Sequence, residues 1–121
     1  MANDYDDKAK NAMLDQLATV MVRVALHTGD PGGADSAANE LTGGSPAYAR
    51  KPVAWGGAAA GVITATGSVV FDVPPATTVS WISYWNSAGT SRYSKKNVTD
   101  EVFAGQGTYT LTTETHDLND P

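Results

Sequence analysis

Apolar positions near the start of the chain recur at helical spacing. Ala9, Met13, Leu14 and Leu17 follow the acidic pair Asp6 and Asp7. That narrow stripe predicts one short helix, its first turn carrying carboxylates where the helix dipole favours them. Asn3 or Asp4 is the expected N-cap, and Tyr5 extends the stripe. From Thr19 the period changes to two: Val20, Val22, Val24 and Leu26 alternate with Met21, Arg23, Ala25 and His27, which predicts a half-buried strand. Alternation returns further on. "RKPVAW", "GVITATG", "SVVFDV", "TTVSWISYW" and "GTYTLTTE" are short strand-like runs bounded by glycine, proline or turn residues. In "TTVSWISYW" one face takes Val79, Trp81, Ser83 and Trp85, and the other Ser80, Ile82 and Tyr84. Pro74-Pro75 ends one run because proline cannot donate to a ladder, and "NSAGTS" reads as a turn.

Between the first strand and the rest lies "LHTGDPGGADSAANELTGGSPAYAR", Leu26 to Arg50, with no regular period. Compact domains rarely carry a structureless connection longer than about 12–15 residues unless it has a role. The pattern as a whole predicts a mainly-β chain: an antiparallel β-sandwich, jelly-roll-like, with one short N-terminal helix and a long ordered loop. The expected organisation is a single domain over 1–121, with a helical segment 1–18 and a sandwich 19–121 carrying the loop 28–49.

A length of 121 residues suits one such domain and lets folding bury roughly two-thirds of the chain's surface. Charged residues make up only 17% of the chain, so small neutral side chains dominate its surface, which favours packing against other subunits. The net charge is −5 and the cations form no long block, which argues against nucleic acid. No run approaches the ~18 apolar residues of a membrane span. The acidic opening "MANDYDDKAK" is unlike a signal or transit peptide, so synthesis in a cytoplasm is expected. Cysteine is absent, which excludes disulfides and thiolate metal sites.

Candidate chemistry is sparse. His27 and Asp30 in "HTGDP" could orient a general base, but Asp-Pro-Gly-Gly is turn chemistry first. Asp30, Asp35, Asn39 and Glu40 offer oxygen ligands, yet their spacing is not that of a calcium loop. Ser45 in "GGSPA" lacks the second glycine and following helix of a nucleophile elbow. No catalytic residue, metal or cofactor is expected. Among the aromatics, at least two of the three tryptophans are expected in the core. The alternative is a glycan platform of Trp81 and Trp85 with Asn86 at its rim. Arg50, Lys51, Arg92, Lys95 and Lys96 are expected to be solvated unless a partner supplies carboxylates.

"LHTGDPG" followed by "NELTGGSPAYARKPVAW", then "VVFDVP", "TTVSWISYWNSAGT" and "GQGTYTLTTETHDLN", resembles a small family of virion proteins from tailed phages of actinobacteria. Its members are labelled tail-fibre, minor tail or minor capsid proteins. The resemblance implies a non-enzymatic structural protein on the virion surface with a β-sandwich-like fold. The size of the chain favours a capsid decoration or minor capsid role that stabilises the assembled head. The alternative is a minor tail or tail-fibre protein with a glycan- or receptor-binding module. Expected partners are the major capsid protein or neighbouring virion subunits and further copies of the chain, with no nucleic acid and no membrane. The long loop is the expected contact, anchored by Asp30, Glu40, Tyr48 and Arg50.

Overall fold

The computed structural model describes residues 4–112 and 114–119. Among the described residues one helix, α1 (Asp7–Val20), precedes eight strands: β1 (Arg23–His27), β2 (Lys51–Pro52), β3 (Val62–Thr64), β4 (Val69–Val73), β5 (Thr77–Trp85), β6 (Arg92–Phe103), β7 (Gly107–Leu111) and β8 (Thr115–Asp117). Four of them form an antiparallel sheet in the order β2-β1-β5-β6, and the others pair as two ribbons, β3-β8 and β4-β7. The fold is mainly β, antiparallel and carries one short helix, as the periodicity predicts. The eight strands divide four, two and two, so the layer facing the main sheet is two ribbons rather than one continuous sheet.

The core lies between these layers. Val24 and Leu26 of β1 and Val79, Ile82 and Tyr84 of β5 meet Phe71 and Val73 of β4, Tyr109 and Leu111 of β7, and Ile63 of β3. In β7 the expected alternation holds: Tyr109 and Leu111 are buried and Thr108 and Thr110 exposed. In β5 it breaks once. A register shift between Val79 and Trp81 against β6 turns Val79 into the core, away from the face of Trp81 where the strict period had it. Such a bulge re-aims side chains at the cost of local pairing.

The helix is longer than predicted. It runs through Val20, and the Met21 N–H closes its last turn on the Leu17 carbonyl at 2.9 Å. Leu14, Leu17 and Met21 continue the stripe at i, i+3 and i+7, and Leu14 and Met21 are fully buried, so helical period wins over alternation there. Asp6 occupies the N-cap without a side-chain cap bond. Asn3 lies outside the described residues. The helix is held by its polar side: Asn11 Oδ1 accepts from the Gly61 N–H and Asp15 Oδ1 from the Ala58 N–H, each at 2.9 Å. Trp55 Nε1–H donates to the Met21 carbonyl at 2.8 Å, fixing the helix–strand junction.

Candidate interaction site: a strapped sheet face

One face of the main sheet packs on the core. Its other face carries Ala25 and His27 of β1 and Trp81, Ser83 and Trp85 of β5, paired in register as Ala25↔Ser83 and His27↔Trp81. Residues 28–40 fold over this second face, while Leu41 and Tyr48 turn to the core side, where Tyr48 stacks on Phe71 with ring centroids 6.4 Å apart. The segment leaves β1, reaches across to β6, and returns so that Glu40 bridges His27 beside β1. Thr28 N–H donates to the Asn39 carbonyl at 2.8 Å, and Leu41 N–H to the Leu26 carbonyl at 3.1 Å. The long loop is therefore an ordered strap with its own backbone ladder.

Arg92, at the start of β6, holds the far end of the strap. Its guanidinium donates to the carbonyls of Gly32, Gly33 and Ser36 at 2.7, 2.6 and 2.6 Å, and its N–H donates to Asp35 Oδ1 at 2.8 Å. A planar fork of donors suits several carbonyls converging on one point. Gly32 and Asp35 adopt positive φ, 92° and 59°, which bends the chain back toward Arg92. Nothing in the sequence pattern separates Arg92 from a solvated surface arginine. Arg92→Ala should cost about 1.5–3 kcal/mol, the range for bonds to a charged donor. It should also open residues 30–38 to limited proteolysis under native conditions. Unchanged cleavage and an unchanged urea midpoint would show that the strap is held elsewhere.

The middle of the strap is pinned by a buried polar chain. His27 Nδ1 lies 2.9 Å from the Ala38 carbonyl and Nε2 lies 2.7 Å from Ser83 Oγ. A carbonyl only accepts, so Nδ1 carries the proton and the neutral ring accepts at Nε2. Ser83 then donates to His27 and accepts from Trp85 Nε1–H at 2.7 Å. His27 and Ser83 are fully buried, and every polar atom in the chain of bonds has a partner of the right kind.

Glu40, Tyr48 and Arg50 form the third anchor. Arg50 Nε and Nη2 each donate to Glu40 at 2.9 Å, a fork-on-carboxylate pair. Tyr48 Oη donates to Glu40 Oε2 at 2.8 Å and accepts from the Leu26 N–H of β1 at 2.9 Å, which satisfies a strand donor beyond the reach of β2. The Arg50 guanidinium lies 4.0 Å from the Trp85 ring centroid, a cation–π contact. Burial raises the Glu40 carboxyl pKa, but hydrogen bonds from Arg50 and Tyr48 outweigh it and the net shift is down. Asp30 joins the strap to β6 by accepting from Lys95 Nζ at 2.6 Å, and its Oδ1 also accepts from the Gly32 N–H at 2.8 Å. The latter is the Asx turn expected of "GDPGG".

All four side chains expected at a partner contact thus have partners within the chain. The glycan platform needs a correction. Trp85 is 2% exposed and its ring is covered by Arg50, so it presents no open stacking surface. Asn86 is engaged in its own turn, Oδ1 accepting from the N–H groups of Thr90 and Ser91 at 2.9 and 3.1 Å. Trp81 remains half-buried beneath Lys95, 5.4 Å away. The oxygen ligands Asp30, Asp35, Asn39 and Glu40 do not converge: three turn to Lys95, the Arg92 N–H and Arg50, and Asn39 Nδ2–H donates to the Asp30 carbonyl. Ser45 is distant in role from either histidine, its N–H bonded to Gln106 Oε1 at 3.2 Å. Two Ser–His pairs do occur, His27 with Ser83 at 2.7 Å and His116 with Ser94 at 2.8 Å. The first is sealed from solvent, and in the second no acid among the described residues orients His116 Nδ1, which is buried with no hydrogen-bond partner among them.

Burial lowers the pKa of both histidines. For His27 the Ala38 carbonyl and Glu40 charge oppose the shift, while Arg50 and Arg92 reinforce it. For His116 the Glu114 charge opposes it. Below about pH 6.5 the unfolded chain takes up protons that the folded chain does not. Stability should therefore fall as pH drops from there toward the folded-state values, by at most about 1.4 kcal/mol per pH unit for each histidine. Urea midpoints between pH 8 and pH 5 check this; a flat profile would contradict the neutral assignment.

The strap and all its anchors except Lys95 lie within a stretch recognised at the family level. The model of the Gp80 family, described as podophage GP4 fiber I protein gp80, matches residues 5–94. The chain belongs to this family. The matched stretch includes α1, β1, the whole strap, β2 to β5 and Arg92. Searches of curated proteins and of solved structures found no match. Membership in a phage fibre family makes the chain a phage structural protein.

Proposed function

We propose that this Gp80-family protein is a non-enzymatic structural subunit of a fibre on the surface of a tailed phage particle, where it packs against neighbouring subunits. The observation that carries this reading is the family match itself, which covers the helix, the strap and most of the main sheet. The geometry agrees with a structural role. Its buried polar groups hold the strap to the sheet, and Trp85 is covered rather than presented. The fibre description favours the tail-fibre alternative over capsid decoration, which rests on chain size. Immunogold electron microscopy of intact particles tests the placement. Label confined to fibres supports it, and label spread over the head would restore the decoration reading.

A further inference from the structure

A groove of about 620 Å³ runs between β6 and β7, lined by Lys96–Glu101 on one side and by Tyr109–Thr112 with Glu114 on the other. Both walls are strand edges. β6 is the outermost strand of the main sheet and β7 pairs only with β4, so neither has a second strand partner among the described residues. Alternate residues of an edge strand turn N–H and C=O groups outward, which makes the edge a template for an added strand. β6 is bulged between Asn97 and Glu101, where Val98–Asp100 stand opposite Ser80 alone, whereas β7 pairs with β4 in unbroken register over Gly107–Leu111, about 17 Å of extended chain. The floor is mildly apolar, with Tyr109 and Leu111 buried and Val98 half-buried.

Charge selects the occupant. Lys96 Nζ lies 3.4 Å from Glu114 Oε1, so these two offset each other. Asp100 and Glu101 are exposed and have no ion-pair partner among the described residues. The open part of the groove is therefore anionic. Strand addition supplies backbone bonds without sequence preference, and side chains at alternate positions supply the selectivity.

We propose that the groove between β6 and β7 receives an extended cationic segment of a neighbouring particle subunit, added as a strand along the free edge of β7 with its positive side chains against Asp100 and Glu101 on the facing wall. The neighbour's being a particle subunit rests on the function proposed above; the groove's preference for a cationic strand does not. Charges along an edge strand also serve to prevent stray sheet pairing. That role alone predicts no binding.

The test uses the full chain, isotopically labelled, titrated by NMR with a blocked synthetic heptapeptide in which lysine alternates with valine or threonine. A second peptide carries glutamate in place of lysine. The expected result is amide shifts confined to β6, β7 and the residues just after β7, with a dissociation constant of about 1 mM or tighter that weakens with added salt. Asp100→Lys with Glu101→Lys should weaken binding about tenfold or more. Lys96→Ala should tighten it, because Glu114 then joins the anionic surface. All three positions are exposed, so folding is retained. No shifts, shifts outside the groove, equal binding of the glutamate peptide, or insensitivity to charge reversal would each overturn the proposal. If the chain is found in particles and the lysine peptide does not bind, this inference fails and the function stands. If the peptide binds and the chain is absent from particles, the reverse holds.

Discussion

Replacing His27 by alanine should destabilise the protein by about 3 kcal/mol or more, combining lost packing with buried polar groups left unpaired. The ring is fully buried and stands between a sheet hydroxyl and a strap carbonyl. Without it, Ser83 Oγ–H loses its acceptor and the Ala38 carbonyl its donor. The effect should appear first as lost exchange protection around Ala38 to Leu41, ahead of the β4–β7 ribbon, because the strap loses its central pin while the core of Phe71, Val73 and Tyr109 is untouched. Ser83→Ala removes the middle of the same chain of bonds, orphaning His27 Nε2 and Trp85 Nε1–H. The two changes share a network, so the double variant should be less destabilised than the sum of the singles. Additive effects in urea denaturation would mean that the three groups do not act as a unit.

Glu40→Ala should cost about 2–4 kcal/mol, less than the full range for a sealed ion pair because both side chains keep some solvent contact. The change leaves the Arg50 guanidinium with no carboxylate and the Tyr48 hydroxyl with no acceptor. Glu40→Gln keeps an acceptor for Tyr48 and should cost less. Arg50→Lys should not preserve stability, since an ammonium cannot make the two-pronged bond while lying flat on Trp85. An Arg50→Lys variant as stable as the parent protein would remove the cation–π contact and the fork from the account. Because the Glu40 carboxyl pKa is lowered in the folded state, the stabilisation from this pair should be lost as pH falls through the carboxylate range, below the window in which the histidines act.

Where apolar residues alternate, the structure could be read from sequence. β4, β5 and β7 lie where Phe71, Trp85 and Tyr109 fall in period-two runs, and the overlap of two periods at Leu17–Met21 accounts for the misplaced end of α1. β6 left no such signal. Arg92–Phe103 is the longest strand, yet Lys95, Lys96, Asn97, Asp100 and Glu101 put polar groups on both its faces, since it lies at an edge with only one neighbour. Its strand character comes from pairing with β5, a tertiary effect that propensity does not carry. β8 is three residues long and was equally silent. The strap was legible as an unusual segment, and Asp30, Glu40, Tyr48 and Arg50 as its notable residues. What they bind was not legible, because their partners Lys95, Leu26 and Trp85 are brought close only by the fold. The one hint to the buried polar chain was a serine between two tryptophans on one strand face, with a histidine in the neighbouring strand.

The central claim is that this chain is a structural subunit of the phage particle. Quantitative mass spectrometry of purified particles, measuring the chain against the major capsid protein, tests it most directly. The account predicts a fixed copy number per particle that persists through gradient purification and matches the fibre count or a small multiple of it. Loss of the chain on purification, or a copy number that varies between preparations, would contradict it.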